Sequence, residues 1–307
     1  MRSHSVMFHH FHGQGHPKGQ GSISAEQFDK IIRYLSLNFD LLSSDDYSKA
    51  CIDGVLGDRD ICLSFDDGLL CQYEIALPVL DAWSLKAYFF LCSKPLVGGV
   101  LPIELFRYFR TVAYNDVEDF YADFFEISHR LTPENYGKAK LFCSKNIYRA
   151  EFDFYTPNDR LFRFFRDYCV DEQTYENLMF MLLEKSGLAL QDIKKKLWMD
   201  RAQVRYLHNT GHSIGLHSYN HPTTVDRMGA DELLAEYRDN YSNLCEVIGG
   251  EISAVAYPCG NCNVETIKIM NQLGIKIGFM ANMKNLEHKS LLQMPREDHI
   301  NVLAEVE

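Results

Sequence analysis

Asp66-Asp67-Gly68 and, some 150 positions later, His217-Ser218-Tyr219-Asn220-His221-Pro222 read as two halves of one metal site. Two histidines and one of two adjacent carboxylates supply three ligands for a divalent metal, and the second carboxylate is left spare. A hydrolase that activates water on a metal and removes its proton with a neighbouring base needs that inventory. A helix would put His217 and His221 on one face, but Pro222 disfavours helical backbone at His221. A strand tip turning into a loop therefore suits the pair better. A lone histidine is more often a satisfied core residue; this pair, after an Asp-Asp-Gly, is better explained by chemistry. A phosphatase reading of Phe65-Asp66-Asp67-Gly68 fails on spacing, because the usual D-x-D is absent.

The elements around these residues suggest βα units. Ile61-Cys62-Leu63-Ser64-Phe65 is a continuous apolar run ending in the aspartates, as in a buried parallel strand whose C-terminal tip carries chemistry. A helix is expected from Tyr73 to Ala82, with Pro78 as its weak point. Another is expected from Ser24 to Leu35, with Ser24 and Gln27 at capping-box positions and Phe28, Ile31, Ile32 and Leu35 at helical spacing. Ser253 to Tyr257 and Ile275 to Met280 read as strands flanking a helix from Val264 to Leu273, closed by Gly274. The stretch 99–197 differs. It is rich in aromatics at helical spacing (Phe106, Phe109, Phe120, Phe124, Phe162, Phe165) and poor in strand signals. It reads as a helical insertion whose aromatic stripes pack helix on helix rather than stacking on sugars. Lys194-Lys195-Lys196 reads as a solvated helix face.

With 307 residues, 46% of them hydrophobic, the chain can bury a sizeable core. A net charge of −11 argues against a nucleic-acid partner or an anionic membrane surface. No apolar run is long enough for a transmembrane segment. Nine cysteines in mostly apolar surroundings, and a start without a signal-peptide core, give a cytoplasmic expectation.

The two motifs resemble the first two of the polysaccharide deacetylase family (NodB homology, carbohydrate esterase family 4). Flanking segments extend the likeness: Val6-Met7-Phe8-His9-His10, Lys86 to Leu91, Gln203 to Leu207 before Gly211 to Gly215, and Ala256-Tyr257-Pro258-Cys259-Gly260. Their order is right over 6–98 and 198–300, and the last is similar to an A-Y-P-x-G subgroup. The resemblance implies an α/β fold, an irregular (β/α) barrel formed by 1–98 and 198–307, with 99–197 inserted near the barrel mouth as a candidate lid. It places the two motifs on neighbouring strand tips, so that Asp67, His217 and His221 hold the metal. Zinc is the first choice, with cobalt, nickel, iron or manganese also suited to this donor set. Asp66 is then the general base, and the Cys259 N–H, in the Tyr257-Pro258-Cys259 segment, an oxyanion donor.

Departures from the family pattern leave two roles open. Ala256 stands where an arginine usually orients the catalytic aspartate, and Arg296 on a late strand is the candidate replacement, with a surface salt bridge as its alternative. The fourth motif is not recognisable. The general acid is matched literally by His288 in Leu286-Glu287-His288, with His299 and His9 as rivals. On a strand His9 and His10 must face opposite ways, and the family resemblance implies that His9 is the inward one. The expected activity is metal-dependent removal of an N-acetyl or other N-acyl group from an amino sugar, in a surface glycan or its biosynthetic precursor. The alternatives are hydrolysis of a small non-carbohydrate amide or formamide, and a non-catalytic glycan-binding role. The oligomeric state is open.

Overall fold

A computed structural model describes residues 3–148, 150, 155–223, 225, 228–283 and 290–306. The chain divides into two compact units, Met1–Leu101 with Lys196–Glu307, and Pro102–Lys195.

The first unit is built on eight parallel strands: β1 His4–Phe8, β2 Asp40–Leu41, β3 Asp60–Asp66, β4 Tyr88–Leu91, β5 Ser213–Leu216, β6 Ala254–Ala256, β7 Ile277–Phe279 and β8 Arg296–Asp298. They are ordered β7-β6-β5-β4-β3-β1-β8, with β2 beside β3. Phe279 also bridges Met294, just ahead of β8, and Met280 N–H donates to the Met294 carbonyl at 2.8 Å. The sheet is thereby nearly closed into a (β/α) barrel of the NodB type, as the motifs implied. No helix among the described residues is long and apolar enough to cross a membrane.

Strand alternation sorts the side chains into an interior and an outer layer. Cys62, Tyr88, Phe90, Ala254, Ala256, Ile277 and Phe279 pack inside with Tyr47 and Met294. Phe8, Phe65 and Phe89 point outward; Phe65 stacks on Phe89 at 4.8 Å and Phe8 meets Phe28 edge-on at 4.9 Å. Phe28 belongs to the helix Ala25–Asn38, which begins at the expected Ser24–Gln27 capping box and buries Phe28, Ile31, Ile32 and Leu35. Each such side chain contributes about 1.5–3 kcal/mol by leaving water.

The interior is tight where β4 meets β5. A Cβ on Gly215 would sit 2.4 Å from the Phe90 ring and 3.1 Å from the Ala254 carbonyl. Gly215→Ala is therefore expected to cost at least about 1–3 kcal/mol through overpacking. A urea-unfolding midpoint equal to wild type would refute that.

The expected helix from Tyr73 to Ala82 is two elements, a π turn Gln72–Ala76 and an α-helix Leu77–Ala82. Pro78 lies in the first turn of the α segment, where a missing N–H leaves no bond unmade. The wide turn ahead of it accommodates the ring.

The second unit contains the helices Pro102–Ala113, Val117–Leu131, Pro133–Cys143, Pro157–Phe164 and Glu172–Ser186, and no strand among its described residues. Its aromatic stripes are packing surfaces: Phe106, Phe109, Phe120, Tyr121, Phe124, Phe162 and Phe165 are buried, and Phe124 meets Phe162 at 4.8 Å.

Candidate metal centre and active site

Asp66 follows Cys62 and Ser64 in strand alternation and so points into the barrel at the C-terminal end of β3. On a continuing strand Asp67 would face the opposite way. Instead it takes a left-handed backbone, φ +75°, and Gly68 follows at +68°, so the chain turns sharply at the strand tip. That turn lets consecutive carboxylates approach one centre. Gly68 is needed there for a second reason, since a Cβ would lie 2.7 Å from Leu91 Cδ2.

His217 follows β5 directly. Its N–H lies 3.2 Å from the Leu91 carbonyl and 3.3 Å from Asn240 Oδ1. Ser218 and His221 are both left-handed, and His221 N–H donates to Ser218 Oγ at 3.0 Å. The turn expected from Pro222 is thus a strand tip and loop, not a helix. Of six described non-glycine residues with positive φ, Asp67, Ser218, His221 and Cys259 lie in these loops. At about 1–3 kcal/mol each, backbone strain is concentrated at the site.

The ligand atoms converge. Asp67 Oδ1 is 3.5 Å from His217 Nε2 and 3.4 Å from His221 Nε2. Burial pushes the His217 pKa down to about 3, so the imidazole is neutral and its contact with Asp67 is not an ion pair. His217 Nδ1 lies 2.8 Å from the Ala256 carbonyl, which fixes the proton on Nδ1 and leaves the Nε2 lone pair facing Asp67. Separations of 3.4 and 3.5 Å are too long for hydrogen bonds. They match the edge of a tetrahedron with ligand bonds of about 2.1 Å, roughly 3.4 Å. All three donor atoms lie within 4.8 Å of one another, so these residues fit a divalent ion.

Beside them Asp66 is held by Arg296. Nη1 donates to Oδ1 at 2.6 Å and Nη2 to Oδ2 at 2.7 Å, while Nε donates to the Met280 carbonyl at 2.7 Å. Both side chains are almost fully buried. Burial works against the Asp66 charge, but the Arg296 guanidinium, through its charge and its two hydrogen bonds, outweighs it and holds the carboxyl well below the usual range. Arg296 is therefore an interior partner of Asp66 and not a surface arginine.

His9 brings Nε2 to 3.7 Å from Asp66 Oδ2. The expectation that His10 faces the opposite way fails, because the rings are nearly parallel with centroids 6.0 Å apart. β1 ends at Phe8, so strand alternation no longer governs the pair. His299 is held elsewhere: it lies 3.1 Å from the Gly21 carbonyl and stacks on Phe8, on the outer layer. His288 lies outside the described residues. Tyr257 is fully buried, with its hydroxyl where a Cβ on Gly278 would come within 2.7 Å, so its side chain packs against β7. Pro258 is buried behind it, and Cys259 is exposed in a turn closed by Gly260 N–H to the Tyr257 carbonyl at 2.8 Å.

Several positioning residues carry no sequence signal. Buried Gln72 donates to the Asp66 and His9 carbonyls at 2.6 and 2.8 Å, joining the two strand ends. Asn240 binds His217 N–H and donates to the Leu91 carbonyl at 3.0 Å. Glu236 accepts from the Tyr219 and Asn220 N–H groups at 3.0 and 2.9 Å. Each is one polar residue on an otherwise ordinary helix or turn, and only the loops it meets reveal its purpose.

Residues 172–278 match the family model described as polysaccharide deacetylase. That segment includes His217, His221 and the Ala256–Gly260 turn but stops short of the aspartates, which the fold supplies. No curated protein matches the chain. Among solved structures, the chain is similar to "Structure of IcaB from Ammonifex degensii", with 14% identity, TM-score 0.60 and coverage of 99% of this chain and 97% of that one. It is similar as well to the Streptococcus pyogenes deacetylase PplD in complex with acetate, at 16% identity, TM-score 0.57 and coverage of 97% and 92%. A third is the BpsB deacetylase domain from Bordetella bronchiseptica, at 14%, TM-score 0.53 and coverage of 97% and 94%. At such identities the likeness is one of fold. The resemblance to the polysaccharide deacetylase family therefore stands, carried in sequence by about a third of the chain and in fold by nearly all of it.

Proposed function

We propose that this chain is a metal-dependent hydrolase that removes an N-acetyl or related N-acyl group from an amino sugar. The observation that carries the reading is Asp66, clamped by Arg296 through two hydrogen bonds, beside the convergent Asp67, His217 and His221. A divalent ion, zinc by donor type, supplies Lewis-acid polarisation of a carbonyl and a lowered pKa for water when bound. Asp67, His217 and His221 hold it. Asp66 accepts the proton of the attacking water as its oxygen bonds to the amide carbon. Burial lowers the His9 pKa, so His9, with Nε2 3.7 Å from Asp66 Oδ2, acts by relaying the proton that Asp66 has taken to the departing nitrogen as the C–N bond breaks, which yields a free amine and the carboxylate. Cys259, the exposed residue of the Pro258–Gly260 turn, is the one whose N–H we assign to the carbonyl oxygen.

The substrate we assign is a surface glycan or its sugar-nucleotide or lipid-linked precursor. Nine free cysteines fit a reducing compartment, and we place the enzyme in the cytoplasm.

The test is acetate release from N-acetylated sugar nucleotides and chitooligosaccharides by metal-reconstituted protein, with His217→Ala alongside. Wild type is expected to bind one equivalent of metal and release acetate, and His217→Ala to lose both. Stoichiometric metal with no acetate from any of these compounds would overturn the amino-sugar reading. Release from simple amides or formamides instead would redirect it to small-molecule hydrolysis.

A further inference from the structure

The helical unit Pro102–Lys195 draws three arginines to one aromatic cluster. Arg110 comes from the helix Pro102–Ala113, Arg163 from Pro157–Phe164, and Arg166 from the π turn Phe165–Cys169. The guanidinium carbons of Arg110 and Arg166 stand 5.3 and 6.0 Å from the centre of the same ring, Phe162. That of Arg163 lies 4.2 Å from the centre of Tyr155.

Among the described residues only one of the three is neutralised. Arg166 pairs with Asp167 at 2.7 Å. Among the described residues no carboxylate reaches Arg110 or Arg163 within ion-pair distance, and the buried Nε of each has no hydrogen-bond partner. Asp159 is engaged elsewhere: it accepts from the Tyr121 hydroxyl and caps the helix through Thr156 N–H at 3.1 Å. All three arginine side chains are half-buried, so solvent screens them incompletely. Burial lowers the Arg163 pKa, and the neighbouring Arg166 and Arg110 lower it further, as expected of like charges held together. Tyr175, raised by burial, is opposed by all three guanidiniums.

Cation–π contact with Phe162, Phe120 and Tyr155 accounts for where the faces of Arg110 and Arg163 rest, but it leaves the Nε–H of each without an acceptor among the described residues. We propose that Arg110, Arg163 and Arg166 form a binding site for the phosphate group of a small ligand, a phosphate monoester or a diphosphate. Two positive charges left uncompensated among the described residues match a dianion, whereas a carboxylate would neutralise only one. Planar guanidinium donors in forks match phosphate oxygens in geometry as well as charge. The site lies wholly within the helical unit and does not depend on the deacetylase reading.

The experiment is calorimetric titration of the full-length chain, stripped of metal and dialysed free of chelator, with inorganic pyrophosphate. Sodium chloride at matched ionic strength is the blank. Removing the metal keeps pyrophosphate from being captured at Asp67, His217 and His221. Saturable binding is expected, weakened by about tenfold or more in Arg110→Gln and Arg163→Gln, since a charge-assisted hydrogen bond exceeds the tenfold step. Arg33→Gln, an exposed change in the other unit, should bind as wild type does. Because both arginines also pack on rings, Arg110→Lys and Arg163→Lys provide a second measurement that keeps a cation in place. These should show an intermediate loss. No saturable binding by wild type, or glutamine and lysine variants that bind as tightly, would overturn the proposal.

Discussion

Asp66→Asn is expected to leave one equivalent of divalent metal bound while lowering kcat by about 10²- to 10⁴-fold, the range of a lost general base. The separation of effects follows from geometry. Asp66 is outside the convergent set Asp67–His217–His221, yet its carboxylate lies 3.9 Å from His217 Nε2 and 3.7 Å from His9 Nε2. The amide is close to isosteric and keeps an acceptor for Arg296, but it cannot take a proton. Metal content by mass spectrometry and acetate release on the same preparation decide the matter. Metal lost together with activity would make Asp66 a ligand; activity retained with metal would remove it from the reaction.

Arg296→Met should be the most destabilising substitution at the centre, by about 3–5 kcal/mol, because it strands a buried carboxylate without its counter-charge. The pair is worth less as a net contribution than the loss suggests, since both charges lost their water on folding. Asp66→Asn combined with Arg296→Met should therefore be more stable than Arg296→Met alone, in a double-mutant cycle by urea unfolding at neutral pH. Equal stability of the two would show that Arg296 acts by packing alone.

The sign with pH is fixed by the same contact. Asp66 is held below its unfolded value by Arg296 against the opposing effect of burial, so the pair's contribution is complete above the ordinary carboxylate value of about 4. It is lost as acid protonates the folded carboxyl, below that value. Without Arg296, burial dominates and the Asp66 pKa rises. Residual activity of Arg296→Met should then begin to fall at higher pH than that of wild type.

Asp66, Asp67, His217 and His221 were legible because their chemistry is written in short spacings. Two adjacent carboxylates after an apolar run, and two histidines before a proline, limit what the backbone can do locally. The Ser24–Gln27 capping box and the aromatic helices of 102–195 were legible for the same reason, since periods and caps are local. The facing of His9 and His10 was misread because alternation was carried two residues past the end of β1. Tyr257 entered the site by its place in a motif, while its buried ring packs against β7.

Arg296 shows where local reading stops. The sequence left it between a catalytic partner and a surface ion pair, and it meets Asp66 from 230 positions away. Nothing near Arg296 in the chain states that β8 lies beside β1 and points it into the barrel. Gln72, Asn240 and Glu236 are decided the same way, by which loops the closed sheet brings to them. By itself the sequence determined the donor types, the strand tips that carry them and the helical character of the insertion, because these depend on neighbours along the chain. Tertiary structure alone decided the Asp66–Arg296 clamp and the gathering of Arg110, Arg163 and Arg166, because burial and charge pairing depend on neighbours in space.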